Sequence, residues 1–370
     1  MITTPIRAAV IGYGLAGRVF HCPFISALPG LELSAIAFRS AESASKSTAA
    51  ADYPATRILT SIDKAIADPN LDLIVVATPN DSHFELAAQA LRAAKHVVVD
   101  KPMASSSAEV RELITLATQH GKILAPFHNR RFDGDFLTLR KIVADQSLGR
   151  IVHLSSHFDR FRPQQRTGSW KEAPGHANGL LFDLGPHLVD QALALFGAPA
   201  RITANVRFDR DVTAIDDAFD IVLEYEIAGK TLRYECHASL IAAEPAPRYH
   251  VNGTQGSFVK YGLDPQEAAL KDGAHPPRIG DPGDWLGEPD SVWGTLTTAP
   301  NQDDPTQLLA TKIPTIHGDY RLFYASVRDA ILGTAPLAIP AEDAFRTIKL
   351  LELAMQSSEQ LRTLPIDFRA

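Results

Sequence analysis

Through the first third of the chain, short apolar runs alternate with longer stretches in which apolar residues recur every three or four positions. The runs are Ala8-Ala9-Val10-Ile11, Leu33 to Phe38, Leu71 to Ala77, His96 to Val99 and Ile123 to Phe127. Nearly continuous apolar runs of this length, rich in β-branched residues, are strands buried on both faces, as in a parallel sheet. Between them, Val19, Phe20, Ile25 and Leu28 follow a helical spacing that Pro29-Gly30 stops. Leu86, Ala87, Ala90 and Leu91 predict a second helix, with Asp81 or Ser82 as its cap. A third spans Ala108–His120 and ends at Gly121. Strands alternating with helices predict a doubly wound parallel sheet over residues 1–127.

The pattern changes over residues 128–370. A helix over Asp135–Ala144 precedes longer segments in which polar and apolar residues alternate: Ile151–Phe158, Ile202–Phe208, Phe219–Ile227, Thr231–Leu240, Tyr249–Asn252 and Ser257–Tyr261. Alternation of period two predicts an open-faced, mainly antiparallel sheet in an α+β domain. Its open face must be covered by helices or by another subunit. Residues 262–318, rich in Pro, Gly and Asp, read as a long excursion. Tyr320–Leu332 and Ala341–Leu361 read as closing helices.

The first strand runs into Gly12-Tyr13-Gly14-Leu15-Ala16-Gly17, a G-x-G-x-x-G placed where a strand ends and a helix begins. Gly12 permits the tight turn, Gly14 lets backbone approach a pyrophosphate, and Gly17 lets helix pack on strand. Phosphates then meet the N–H groups and positive dipole end of the helix. With the next strand this makes a βαβ unit of about thirty residues, the Rossmann arrangement. The residue about 20 positions after the glycines faces the adenosine ribose. Arg39-Ser40 stands there, and a guanidinium with a hydroxyl suits a 2′-phosphate, so NADP is expected over NAD. Glu42 is close enough to weaken that preference.

At 370 residues, two domains with adequate cores are expected. A net charge of −7 without a dense basic block argues against nucleic acid as a partner. No apolar run reaches the roughly 18–20 residues that span a bilayer. The N-terminus lacks the pattern of a signal peptide, which makes a cytoplasmic protein the expectation. Cys22 and Cys236 are too few for a disulfide framework and are expected reduced. No Cys-x-x-Cys or His-Glu-x-x-His spacing occurs. His153 and His157 share a strand face, but no third metal ligand is evident, so no metal is expected.

In doubly wound sheets, ligands lie beyond the carboxyl ends of the strands. That rule sends Gly12–Gly17, Arg39, Thr78–Asn80, Lys101 and His128–Arg131 to one crevice. Lys101 leaves a buried strand there, where its ammonium suits a substrate oxygen. In Asp183-Leu184-Gly185-Pro186-His187, proline belongs in a first helical turn, and Asp183 and His187 are four apart on one face. A carboxylate beside an imidazole makes a general base. The same residues also suit an N-cap and a packed core histidine. His21 packs near the glycine loop, His83 is placed to touch cofactor, and His176 sits in a glycine-rich loop over the substrate pocket.

Those residues carry a resemblance. Gly12–Gly17, Ala77-Thr78-Pro79-Asn80, Asp100-Lys101-Pro102 and Asp183 through His187 resemble the glucose-fructose oxidoreductase/inositol dehydrogenase/MocA family along essentially the whole chain. The usual Glu-Lys-Pro is Asp-Lys-Pro here. Phe127 through Leu137, Phe161-Arg162-Pro163 and Pro247-Arg248-Tyr249 look like the NADP-dependent scyllo-inositol dehydrogenase branch. The resemblance implies an active site of Lys101, Asp183 and His187 between the domains. Leu15, Thr78, Pro79, Asn80, His83, Pro102, Asn129 and Arg130 are the further candidates for the cofactor, and His128, Arg131, His176 and Tyr249 for the substrate; the resemblance puts Asn129, Arg130 and Arg131 near nicotinamide and substrate. It further implies a homodimer or homotetramer paired through the open sheet.

The expectation is an NADP-dependent oxidoreductase that transfers hydride between a polyol, inositol or sugar hydroxyl carbon and nicotinamide. A keto-sugar or aldose reductase of the same family, a non-catalytic NADP-binding regulator, and dehydration or glycoside cleavage through transient oxidation are the alternatives.

Overall fold

A computed structural model describes residues 4–166, 172–175, 177–279, 285–300, 304 and 306–369. His176 lies outside the described residues. The chain divides into two compact units. The first takes Met1–Asn129, Gln266–Trp285 and Asp319–Phe345; the second takes Arg130–Pro265, Leu286–Gly318 and Arg346–Ala370.

Among the described residues the first unit holds a six-stranded parallel sheet. Its strands are β1 (Ile6–Ile11), β2 (Leu31–Ala37), β3 (Arg57–Leu59), β4 (Leu73–Val76), β5 (His96–Val99) and β6 (Leu124–Pro126), in the order β3-β2-β1-β4-β5-β6. The order reverses beside β1, the switch point where such sheets bind ligands. β1, β4 and β5 are almost wholly buried because helices cover both faces. The helix Ser107–Gln119 starts in a complete capping box: Ser106 accepts the Glu109 N–H, and the Glu109 carboxylate accepts the Ser106 N–H.

One detail differs from the sequence reading. Ser82 precedes the helix His83–Arg92 but does not cap it with its hydroxyl. That hydroxyl turns back to the Pro79 carbonyl at 2.7 Å and the Thr78 hydroxyl at 2.7 Å. A 3-10 turn over Asn80–Ser82 puts it there.

The later segments of the first unit join an aromatic cluster. His21 stacks 4.4 Å from Phe127, which meets Phe323 edge-on at 4.8 Å. Gln266 accepts the Trp285 indole N–H and the Tyr320 backbone N–H through one oxygen.

Among the described residues the second unit holds a nine-stranded sheet. Its strands are β7 (Ile151–His157), β8 (Arg201–Arg207), β9 (Ala218–Ile227), β10 (Lys230–Ser239), β11 (Tyr249–Gly253), β12 (Gly256–Lys260), β13 (Gly294–Thr298), β14 (Leu309–Ile313) and β15 (Leu364–Pro365). The order is β14-β13-β12-β11-β7-β10-β9-β8-β15, antiparallel except where β7 runs parallel to β10. The excursion over 262–318 therefore contains two strands, β13 and the edge strand β14, and a helix, Gln266–Lys271. On one face, Phe219, Tyr225, Tyr234 and Cys236 are buried under the helix Leu180–Phe196, with Phe196 5.6 Å from Tyr225. Burying side chains of this size contributes about 1.5–3 kcal/mol each. The other face carries Asp220, Glu224, Arg233, Glu235 and His237 and stays half exposed.

The helix Leu180–Phe196 corrects a second expectation. Pro186 lies inside it, beyond the first turn. The apolar residues Leu180, Leu181 and Phe182 extend the helix backward because all three are buried. Asp216 holds that new start: its carbonyl accepts the Leu180 N–H and its carboxylate accepts the Leu181 N–H at 2.6 Å. Burial pushes the Asp216 carboxyl up to about 6. An interior proline costs about 3 kcal/mol. Packing of Leu181, Leu184, Leu188 and Val189, all buried, offsets that cost.

Candidate active site

The glycine turn is built from backbone contacts. Gly12 has φ +95°, and a Cβ there would meet the Ala77 carbonyl oxygen at 2.7 Å. A Cβ on Gly17 would meet the Gly12 carbonyl oxygen at 2.1 Å. Both glycines are demanded by the crossing of strand and helix. Gly14 differs: a Cβ there meets nothing within 4 Å, and the residue is exposed. The fold does not need glycine at this position, but a phosphate approaching the backbone does. The helix opens as a π-turn over Gly17–His21, a form frequent at functional sites, and continues through Cys22–Ala27. The dinucleotide expected here fits these residues.

The neighbouring strand ends of the first unit complete this group of residues. The Gly12 N–H donates to the Ala37 carbonyl at the end of β2, close to Arg39. Arg39 is exposed and makes no hydrogen bond or ion pair among the described residues. Ser40 caps the following turn through the Ser43 N–H. Glu42 pairs with Lys46 at 2.6 Å. Beyond β4, Thr78, Pro79 and Asn80 form the loop, and beyond β5 come Lys101 and the cis Lys101–Pro102 bond. His83 joins the two loops, with Nδ1 2.7 Å from the Pro102 carbonyl oxygen and Nε2 2.8 Å from that of Thr78. It is 1% exposed, so it positions the loops from below. The Asp100 carboxylate accepts the Lys101 N–H at 2.8 Å. His21 is a packed histidine: its Nδ1 lies 2.6 Å from the Tyr324 hydroxyl, and burial lowers its pKa to about 4.

A separate group of candidate residues lies in the second unit and is organised around Phe158. The guanidiniums of Arg130, Arg160 and Arg248 stand 4.9, 5.1 and 5.0 Å from its ring, and the His187 ring lies 6.5 Å away. Cations over an aromatic face are attracted by its quadrupole. Asp183 and His187 share one side of the helix Leu180–Phe196, and Arg160 approaches the Asp183 carboxylate at 3.9 Å. Arg131 forms a bidentate pair with buried Asp190 at 2.8 and 2.6 Å. Arg130 pairs with Asp133 at 3.1 Å. His128 and Asn129, at the end of the first unit, are buried.

Tyr249 is not a surface group. It is wholly buried, and its hydroxyl donates to Gln191 Oε1 at 2.8 Å. The same oxygen accepts from Arg248 at 2.9 Å, while the Gln191 amide donates to the Arg130 carbonyl at 3.0 Å. Tyr249 therefore supports the arginines through Gln191. Sequence reasoning missed Gln191, Asp190 and Phe158. A signal for the first two was present: adjacent polar residues within the apolar run Leu188 to Leu195. His153 and His157 do not act together: His153 Nε2 lies 3.4 Å from Glu235, away from the group around His157. The fold brings Asp159 and His237 to His157.

Residues 6–128 match the family described as "Oxidoreductase family, NAD-binding Rossmann fold", and residues 140–367 match its "C-terminal alpha/beta domain". The chain is 41% identical over 359 residues to the uncharacterized oxidoreductase YdgJ of Escherichia coli (strain K12), covering 97% of this chain and 98% of that protein. It is 34% identical over 362 residues to the scyllo-inositol 2-dehydrogenase (NADP(+)) IolW of Bacillus subtilis (strain 168), covering 98% and 96%. The crystal structure of an oxidoreductase from Bacillus cereus superposes with a TM-score of 0.86 at 30% identity, covering 98% and 99% of the two chains. On this evidence the chain is an oxidoreductase of the glucose-fructose oxidoreductase/inositol dehydrogenase/MocA family.

Proposed function

We propose that this protein is an NADP-linked dehydrogenase of CH–OH groups in polyols, with inositols as the first substrate class. The observation that carries the reading is the exposed Gly14 turn beside an exposed, uncommitted Arg39 at the switch point of the parallel sheet. The likeness to an enzyme named for NADP(+) and scyllo-inositol supports it. A bound nicotinamide ring supplies the hydride chemistry. The chain's own residues supply the rest. Gly12–Gly17 hold the pyrophosphate, Arg39 and Ser40 take the 2′-phosphate, and Thr78–Asn80, Lys101-Pro102, Asn129 and Arg130 frame the ring, with His83 fixing two of those loops.

His187 accepts the hydroxyl proton of the substrate, and Asp183 sets its tautomer. Lys101 stabilises the alkoxide that develops on the substrate oxygen. His128 and Arg131 bind further hydroxyls. The same residues serve carbonyl reduction in reverse, so keto-sugars belong to the substrate panel. The open, charged face of the nine-stranded sheet is the surface for self-association into a dimer or tetramer.

Three outcomes follow from this assignment. His187→Ala is expected to lower kcat by about 10²–10⁴-fold with NADP affinity retained. Unchanged turnover removes His187 from the mechanism. Arg39→Asp is expected to weaken NADP by roughly 10–100-fold, the worth of a charged hydrogen bond, and to spare NAD. Equal loss for both coenzymes shows that Arg39 does not meet the 2′-phosphate. Sedimentation equilibrium is expected to give a dimer or tetramer, and a monomer contradicts the role of the open face.

A further inference from the structure

The open face of the second unit carries a cluster that the dehydrogenase reading does not use. His157 closes β7, and His237 is its register partner on β10. The strand pairing runs on past β7, since the Phe158 N–H donates to the His237 carbonyl and the Arg160 N–H to that of Ser239. Asp159 is two residues beyond His157 and so points to the same side. Asp159 Oδ1 lies 3.4 Å from His237 Nε2, and Asp159 Oδ2 lies 3.7 Å from His157 Nδ1. The three donor atoms fall within 4.8 Å of one another.

We propose that His157, Asp159 and His237 bind one divalent transition-metal ion that clips the end of β7 to β10. Four observations carry this. The Asp159 side chain is only 4% exposed, yet its Oδ1 and His157 Nδ1 are buried without a hydrogen-bond partner among the described residues. The 3.4 and 3.7 Å separations, one from each Asp159 oxygen to an imidazole nitrogen, are longer than ordinary hydrogen bonds. Asp220, the β9 partner of His237, lies with Oδ1 2.5 Å from His237 Nδ1. That contact fixes the tautomer and directs Nε2 at Asp159, the carboxylate–histidine support typical of metal ligands. Finally, the Ala246 N–H holds Asp159 Oδ2 at 3.2 Å. Two imidazoles and one carboxylate select zinc-like ions over magnesium or calcium.

A proton competes for the same Nε2. Burial opposes charging His237, but the Asp220 hydrogen bond and the Asp220 and Asp159 charges outweigh it and raise its pKa. Burial likewise works against the Asp159 carboxylate, yet His157 and His237 hold it below its usual range. The carboxylates acting on His237 are Asp159, beyond β7, and Asp220 from β9. Arg207 of β8, paired with Asp220, disfavours the proton. Any divalent ion bound here competes with protons for the imidazole nitrogens, so uptake weakens as pH falls.

Titration of the tag-free, chelator-treated full chain with zinc tests the site, with cobalt as a spectroscopic substitute. One ion per chain is expected, with a visible cobalt spectrum of low-coordinate N/O ligation. Asp159→Asn and His237→Gln are expected to lose stoichiometric uptake, Asp220→Asn to weaken it by roughly 10–100-fold, and His153→Gln to leave it unchanged. Absence of stoichiometric uptake by the unmodified chain overturns the proposal. So does equal uptake by folded His237→Gln and His153→Gln chains, which assigns binding to scattered surface histidines.

Discussion

The approach of β1 to the helix that follows it governs the first unit. The Gly17 backbone packs so close to the Gly12 carbonyl that no side-chain carbon fits between them. Gly12 in turn closes on Ala77, at the end of β4. These contacts fix where the helix begins relative to three strand ends, because the Gly12 N–H is also tied to the end of β2. Everything assigned to the coenzyme depends on that fixed start. Gly14 stands apart from both neighbours, since its glycine identity answers to no contact within the protein.

The second unit is organised by electrostatics around a ring. Three guanidiniums surround Phe158, and each is also held elsewhere: Arg130 by Asp133, Arg160 near Asp183, and Arg248 by Asp135 and Gln191. Arg130 and Arg248 are buried, and a buried guanidinium is tolerated only when it is paired with opposite charge. Burial lowers proton affinity at Arg248, but Tyr249, Asp135 and Asp133 together outweigh that effect. Gln191 serves as the hub, accepting from Arg248 and Tyr249 and donating to the Arg130 carbonyl. A rigid polar frame of this type can present hydroxyl-binding groups without reorganisation.

Much of the architecture was legible from local pattern. The run His96 to Val99 is a strand with those bounds, and the helical spacing after Ala108 forms a helix over Ser107–Gln119. Each depends on periodicity that needs no distant partner. Strands β13 and β14 were not legible, because Gly294–Thr298 and Leu309–Ile313 are short and embedded in Pro- and Asp-rich sequence, and β14, at the sheet edge, is largely exposed. The start of the helix at Leu180 was hidden for another reason: its capping group, Asp216, lies on a distant segment. The meeting of His157 with His237 follows from β7–β10 register, which no local spacing encodes. Gln191 and Arg248 find each other across a similar separation. Lys101 and the Asp183–His187 pair were found through strand ends and helical spacing; their chemistry rests on proposal.

The claim on which the account stands is that Gly14 serves a ligand while Gly17 serves the fold. Direct titration of NADPH into Gly14→Ala, with thermal unfolding followed in the same preparation and in Gly17→Ala, tests it most directly. The account predicts that Gly14→Ala unfolds within about 0.5 kcal/mol of the parent, as a substitution into open space should. Its NADPH affinity falls at least about tenfold, a loss of about 1.4 kcal/mol. Gly17→Ala loses about 1–3 kcal/mol of stability through overpacking. A folded Gly14→Ala protein that binds NADPH as tightly as the parent would contradict the account.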